Sequence, residues 1–182
     1  MPPGPKILDA KMTQLTHDQK RILARYADGP YQLDAVISGL SEADFDLALA
    51  PHTWTIRQYT HHIVDGDDLW KTAIKAALGR SRGLLGFGWY WDIPQDTWTE
   101  HWNYASRAIE PSLALFRANR RHITQLVQQL PNAWERNALI TMPDGETSLT
   151  TVGYVIEMQA DHVVAHLSDI QEIRQRHDSL HK

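Results

Sequence analysis

The sequence predicts an all-α protein built as a four-helix bundle. Several long segments place apolar residues at the i, i+3, i+4 spacing of a single helix face. Alternating or β-branched runs that would build a larger sheet are absent, and prolines and glycines fall between the helical segments. Because 182 residues suit one hydrophobic core, we expect a single domain over 1–182, in which 1–14 form an extended N-terminal segment.

Capping boxes, in which Thr is followed three residues later by Gln or Glu, predict where the first two long helices begin. The first box occupies 16–19, and Pro30 then kinks or interrupts the helix before an apolar face resumes. The second box occupies 55–58 and opens a helix that is expected to reach Leu78. Gly79 follows the last periodic residue and is placed to cap that helix.

The second half of the chain is expected to contain two further long helices. A third capping box at 97–100 predicts a short helix. A long helix follows over about 107–129, with Pro111 either at its first position or at a kink. The residues on either side of a turn at 143–145 could form a small hairpin, and the last helix is expected from 150 or 151 to about 176.

Composition and charge narrow the class of protein. The chain has 18 basic and 22 acidic side chains, a net charge of −4, which argues against a nucleic-acid partner. It has no cysteine, which excludes disulfides, zinc ribbons, iron–sulfur clusters and a catalytic thiol. Residues 1–11 contain no apolar run of signal-peptide length, and no stretch of the sequence is long enough for a membrane span, so no membrane partner is expected and a cytoplasmic location is the default.

The chain has ten histidines, and three of them fall on inward helix faces. His162 and His166 are four residues apart, so their imidazoles lie one turn apart on one face of the last helix. His62 lies on the apolar face of the second long helix, whereas His61 points roughly 100° away and is expected at a rim. These three imidazoles could share one metal ion, and three protein ligands with an open position are typical of a catalytic site.

The alternative interpretation is that the three histidines are hydrogen-bonded core residues, since spacing alone does not decide the matter. Other signatures of metal-dependent or nucleophilic enzymes are missing from the sequence. It contains no His-Glu-x-x-His, no Glu-x-x-His and no Gly-x-Ser-x-Gly. The glycine-rich stretch 83–88 follows a helix and lacks the order of a phosphate-binding loop, so it is interpreted as a turn.

The segment 54–65, Trp-Thr-Ile-Arg-Gln-Tyr-Thr-His-His-Ile-Val-Asp, resembles the start of the second helix in DinB-like proteins, particularly the YfiT-like branch. The His-x-x-x-His of the last helix is similar to the C-terminal metal motif of that family. The stretch 91–98, followed by a long helix, is similar to the middle of YfiT-like chains. The likeness extends over roughly 33–173, and its motifs occur in the order of the family.

The resemblance implies a four-helix bundle with up-down-down-up connectivity and a divalent metal ion, nickel or zinc, at one end of it. By position it implies His62, His162 and His166 as the ligands. It also implies a metal-dependent hydrolase, in which the ion activates water for attack on a small organic molecule. The wider superfamily includes thiol-dependent transferases, so a small-thiol cosubstrate is the alternative nucleophile.

The chain departs from the family pattern near the implied ligands. Asp67 stands where YfiT-like chains often carry a further histidine. Three other carboxylates, Asp65, Asp161 and Asp169, could orient an imidazole by accepting from its distal N–H, or could be solvated charges. His61 and Asp65 are candidates for a general base on proximity alone, and the catalytic acid or base stays unassigned.

We therefore expect an enzyme that acts on a small molecule through a metal ion. The alternative is a non-catalytic bundle that binds a small molecule or a protein, with the metal structural or absent. Aromatic surface for such a ligand could come from a set of rings that could equally fill the core and anchor loops: Trp54, Trp70, Trp89, Tyr90, Trp91, Trp98 and Trp102. The apolar stretch 84–91 is expected to cover a pocket mouth, fold over the bundle or lie in the interface of a homodimer.

Overall fold

The computed structural model describes residues 14–80 and 84–180, where four long helices pack around one core. The elements, in chain order, are α1 (His17–Ile37), α2 (Ile56–Leu78), β1 (Leu84–Leu85), α3 (Gly88–Trp91), α4 (Gln95–His101), α5 (Ile109–Gln129), β2 (Asn137–Thr141), β3 (Thr147–Thr151) and α6 (Val152–Leu180). The extended segment expected over 1–14 lies outside the described residues except for Gln14. No helix within the described ranges is long and apolar enough to cross a bilayer.

The direction of each long helix follows from two core clusters stacked along the bundle. The first cluster contains Leu23, Ile74, Ile123 and Val155, and the second contains Ile37, Ile56, Ile109 and Ile170. The helices α1 and α6 run from the first cluster to the second, whereas α2 and α5 run from the second to the first. The connectivity is therefore up-down-down-up, and the predicted four-helix bundle is confirmed.

Two of the three predicted capping boxes are present. The Thr16 hydroxyl accepts from the Gln19 backbone N–H at 3.2 Å, and the Gln19 side chain accepts from the Thr16 N–H at 3.0 Å. The box at 55–58 has the same reciprocal bonds. The third box is wrong: α4 begins at Gln95, after Pro94 as N-cap, which is three residues earlier than predicted, so Thr97 lies inside the helix.

The structure decides what the two helical prolines do. Helix α1 continues through Pro30, so of the two predicted alternatives, a kink or an interruption, the interruption is wrong. Pro30 has no N–H for the Tyr26 carbonyl, but the Arg120 guanidinium donates to that carbonyl at 2.8 Å. Pro111 is the third residue of α5, in the first turn, where an N–H has no acceptor within the helix, so it neither opens nor kinks the helix.

Arg120 on α5 is completely buried and contacts the three other long helices. Its guanidinium lies 3.7 Å from the centre of the Tyr26 ring on α1 and donates to the Gln159 carbonyl on α6 at 3.2 Å. Its Nε lies 2.7 Å from Oδ1 of Asp67 on α2, which is equally buried. Sequence analysis assigned no role to Arg120, although it fixes the mutual position of all four helices.

The strands form a small sheet beside the bundle, with the order β1-β2-β3. The predicted hairpin is confirmed as the antiparallel pair β2 and β3, and β1 adds to β2 in parallel. Helix α6 follows β3 directly and approaches Trp134 so closely that a Cβ on Gly153 would overlap the indole. Of the three alternatives for the stretch 84–91, folding over the bundle is observed, since Phe87 packs on α2 in a small cluster with Ala73.

We predict that Arg120→Met lowers the free energy of unfolding by about 3–5 kcal/mol, because it leaves the buried Asp67 carboxylate without its counter-charge. The matched control is Arg117→Met, which removes an exposed ion pair between the same helix and Asp34 on α1. It should cost less than about 1 kcal/mol. Urea unfolding followed by circular dichroism measures both, and equal losses would contradict the role assigned to Arg120.

Candidate metal centre

Three imidazoles meet between α2 and α6, and the ligand nitrogens of the whole set lie within 4.8 Å of one another. His62 comes from the first half of α2, whereas His162 and His166 lie one turn apart on α6. All three side chains are half-buried, so the cluster sits at the edge of the core and remains accessible. The structure thus brings together the three residues that sequence analysis singled out.

One pair of nitrogens in the cluster has the spacing of two ligands on one ion. The Nε2 atoms of His62 and His162 are 3.1 Å apart. Two nitrogens bound at about 2.0–2.1 Å are separated by about 3.3 Å in tetrahedral geometry and by about 2.9 Å when the bond angle is a right angle. The observed separation falls between these values, so the residues fit a divalent ion.

The protonation state of the pair also suits a metal ion. Burial lowers the pKa of His62 to about 4, and the neighbouring His166 lowers it further. Burial lowers the pKa of His162 to about 3, with added contributions from His62 and His166. Both imidazoles are therefore neutral at pH 7, which is the form that binds a metal ion.

Asp169 fixes the orientation of the third imidazole. Its Oδ2 lies 2.9 Å from Nδ1 of His166, so Nδ1 carries the hydrogen and Nε2 is left with a free lone pair. The other two candidate carboxylates have different partners: Asp65 pairs with Arg107 at 2.8 Å, and Asp161 pairs with Arg25 at 2.7 Å.

The second ring nitrogen of His162, Nδ1, is buried and has no hydrogen-bond partner. If Nε2 of His162 is a ligand, Nδ1 carries the hydrogen and needs an acceptor. Nδ1 is buried without a partner, and so is Oε1 of Gln159, one turn earlier on the same helix. The candidate ligand His162 therefore has an unsatisfied donor, and an unsatisfied acceptor, that of Gln159, lies on the preceding turn of α6.

His61 has a structural role that its sequence position did not indicate. The prediction that it faces a rim is wrong, because its side chain is completely buried. Its Nδ1 lies 2.9 Å from the Ser112 hydroxyl and its Nε2 lies 3.2 Å from the Arg107 carbonyl oxygen. Helix α2 packs against α5 on one side and against α6 on the other. His61 and His62 therefore both point into the bundle, although successive helical residues point about 100° apart. Both ring nitrogens are occupied, so His61 is a poor candidate for a general base.

Two aromatic side chains form one wall of the histidine cluster. The Trp54 ring centre is 4.8 Å from that of His62, and the Tyr59 ring centre is 5.4 Å from that of His166. The Trp54 indole donates to Asp96 on α4 at 2.7 Å, which connects the short helices to the site. Trp89 of α3 packs edge-on against Trp98 of α4 and is about half exposed.

The fold and the site define a helical-bundle protein in which imidazoles from two helices converge in a way that is compatible with a metal ion. The sequence profile of the DinB superfamily matches residues 25–170, most of the chain. The chain therefore belongs to the DinB superfamily. No curated protein shows significant sequence similarity to it.

Among solved structures, the fold is similar to that of YfiT from Bacillus subtilis, a probable metal-dependent hydrolase with an unusual four-helix bundle topology. The TM-score is 0.74, and the match covers 91% of each chain. The two sequences are 18% identical, so the comparison establishes a common fold.

We predict that the metal-free protein loses stability as the pH falls from 7.5 to 5. Burial lowers the pKa of His61 to about 4, as it lowers the pKa of His62 to about 4 and that of His162 to about 3. In the unfolded chain, the histidine side chains have their ordinary pKa of about 6.5. Between these values the unfolded state therefore binds more protons than the folded state. The contribution of the three histidines to the free energy of unfolding is complete above pH 6.5 and is lost as the pH falls towards their pKa values in the folded protein.

Urea unfolding of chelator-treated protein at several pH values measures this dependence. The variant His61→Gln removes one of the depressed groups, so its stability should fall less steeply with decreasing pH than that of the wild type. The control His122→Gln alters an exposed histidine and should keep the wild-type slope. A wild-type stability that rises as the pH falls below 6.5 would contradict the prediction.

Proposed function

We propose that His62, His162 and His166 bind one divalent metal ion and that the protein is a metal-dependent hydrolase for a small organic molecule. The observation that supports this most directly is the convergence of three imidazoles without a further His, Asp or Glu in the group, within the described part of the chain. Three protein ligands leave a coordination position for water or substrate, as in catalytic sites.

The side chains around the cluster have separate tasks in this proposal. His62 and His162 offer Nε2, and Asp169 keeps Nε2 of His166 available by accepting from Nδ1. Trp54 and Tyr59 provide an apolar wall for a small substrate and keep water from that side. A bound divalent ion would supply a Lewis acid that activates water.

Nickel and zinc both suit three imidazole ligands, and the affinity order alone does not choose between them. The name of YfiT as a probable metal-dependent hydrolase favours hydrolysis. Since the chain has no cysteine, transfer chemistry would need a small thiol as cosubstrate. A non-catalytic binding bundle is the second candidate, and the half-exposed Trp89 beside the packed aromatic rings of α4 is the observation that favours it.

We predict about one nickel, zinc or similar ion per chain in the purified, untagged protein, measured by elemental analysis after mild reconstitution. His62→Ala and His162→Ala should each lose the ion, because two imidazoles hold it far more weakly than three. His122→Ala, which changes an exposed histidine, should keep it. Retention of a stoichiometric ion in His162→Ala would refute the ligand assignment.

The loaded protein is then screened against small esters and amides, with and without a low-molecular-weight thiol. Turnover without thiol that disappears in His162→Ala supports the hydrolase. Turnover only with thiol indicates transfer, and a bound ion without turnover in either screen favours the binding bundle.

We predict that Asp169→Asn weakens metal binding by about 10–100-fold, the usual effect of removing a carboxylate that orients a ligating histidine. Titration of the metal-free protein with nickel or zinc against a competing chelator measures the dissociation constant. The control Asp161→Asn removes a carboxylate next to His162 that pairs with Arg25 instead, so its affinity should stay within about threefold of the wild type. An equal loss in both variants would mean that general negative charge, rather than the Asp169 contact, matters.

A further inference from the structure

The side-chain amide of Gln159 is a buried polar group without a full set of hydrogen bonds. Gln159 is only 2% exposed, and no described residue donates to its Oε1. Its Nε2 donates to the Sδ atom of Met158 at 3.5 Å, and a thioether sulfur is a weak acceptor. Buried polar groups nearly always have a partner, so an unused acceptor at this depth calls for an explanation.

The ring of His162, on the next turn of α6, has the complementary need. Residues three apart on a helix are neighbours on its surface, and a helical side chain extends over the turn that precedes it. The His162 ring is therefore directed towards the turn that carries Gln159. Its Nδ1 is buried, and no described residue forms a hydrogen bond with it.

The other acceptors near the His162 ring are already engaged. Asp161 is exposed and pairs with an arginine of α1 at 2.7 Å. Asp67 is buried, but its Oδ1 lies 2.7 Å from Nε of Arg120, and its carboxylate also lies beside the Tyr26 hydroxyl. The Oε1 atom of Gln159 is left as a buried acceptor without a competing donor among the described residues.

We propose that Gln159 is a positioning residue of the metal centre, an inference that rests on the function proposed above. When Nε2 of His162 binds the ion, its Nδ1 carries the ring hydrogen, and Oε1 of Gln159 accepts a hydrogen bond from it. This bond fixes the tautomer and the rotation of the ring, as Asp169 does for His166. Each ligand of α6 is then oriented by a residue three positions away, on the outer side of the pair.

The amide can make this bond without disturbing the packing around it. The terminal torsion of a glutamine side chain is broad, so the amide can turn, and the contact that it gives up is the weak one to the Met158 sulfur. The backbone carbonyl of Gln159, which accepts from the Arg120 guanidinium at 3.2 Å, stays in place. Because an amide is neutral, it adds no buried charge beside Arg120 and Asp67.

The variant Gln159→Met tests the inference, because it keeps the size of the side chain and removes the acceptor. Metal-free protein is titrated with nickel against a competing chelator. Gln159→Met should weaken nickel binding by about 10–100-fold, the usual effect of removing a partner that orients a ligating histidine. Gln159→Glu retains an acceptor and should restore most of the lost affinity.

Urea unfolding of the metal-free variants separates positioning from a merely structural role. Replacing an unsatisfied buried amide by an apolar side chain of similar size should leave the urea midpoint of Gln159→Met unchanged or raised. The control Asn119→Leu removes another buried amide, which forms hydrogen bonds with Lys71 and Asp68 on α2. It should lower the urea midpoint and keep the nickel affinity of the wild type.

Cobalt(II) in the same site gives a spectroscopic readout, since ring N–H protons next to a paramagnetic ion have NMR signals far outside the usual range. The exchangeable signal that changes in Gln159→Met should differ from the one that changes in Asp169→Asn. A Gln159→Met variant with wild-type nickel affinity, or a Gln159→Glu variant as weak as Gln159→Met, would overturn the inference and leave the ligand assignment standing. A wild type that binds no metal would overturn the proposed function itself, and this inference with it.

Discussion

The guanidinium of Arg120 makes up for a hydrogen bond that Pro30 removes, and the position of every long helix depends on it. A proline inside a helix leaves the carbonyl four residues earlier without its donor, here that of Tyr26. Arg120 donates to that carbonyl from α5 and also reaches the Gln159 carbonyl of α6 and the Asp67 carboxylate of α2. Because a buried guanidinium is costly unless its donors are used, few other arrangements of the four helices satisfy it.

This interaction lies directly next to the histidine cluster and shapes its electrostatics. Gly66, the neighbour of Asp67 on α2, faces the His162 ring, since a Cβ there would lie 3.5 Å from Cε1. An unpaired guanidinium so close to His162 would oppose a divalent cation by charge repulsion. Asp67 neutralises it, which gives a physical reason for a carboxylate at this position.

Sequence reasoning succeeded where a local rule decides the structure and failed where distant packing does. The boxes at 16–19 and 55–58 depend on neighbouring residues, and the spacing of His162 and His166 places them on one face in any helix. The continuity of α1 through Pro30 depends on Arg120, which is 90 residues away in sequence and of a type that is rarely buried. His61 was misassigned because a single helix pattern does not reveal that two neighbouring helices cover α2 on adjacent sides.

The sheet and the histidine cluster are connected through α6, but they do not overlap. Strand β3 passes directly into this helix, and His162 lies ten residues further on, about 15 Å along the axis. The first turn of α6 is fixed by the close approach of Gly153 to Trp134. The three imidazoles are positioned from within a single chain, by Arg120, Asp67 and Asp169.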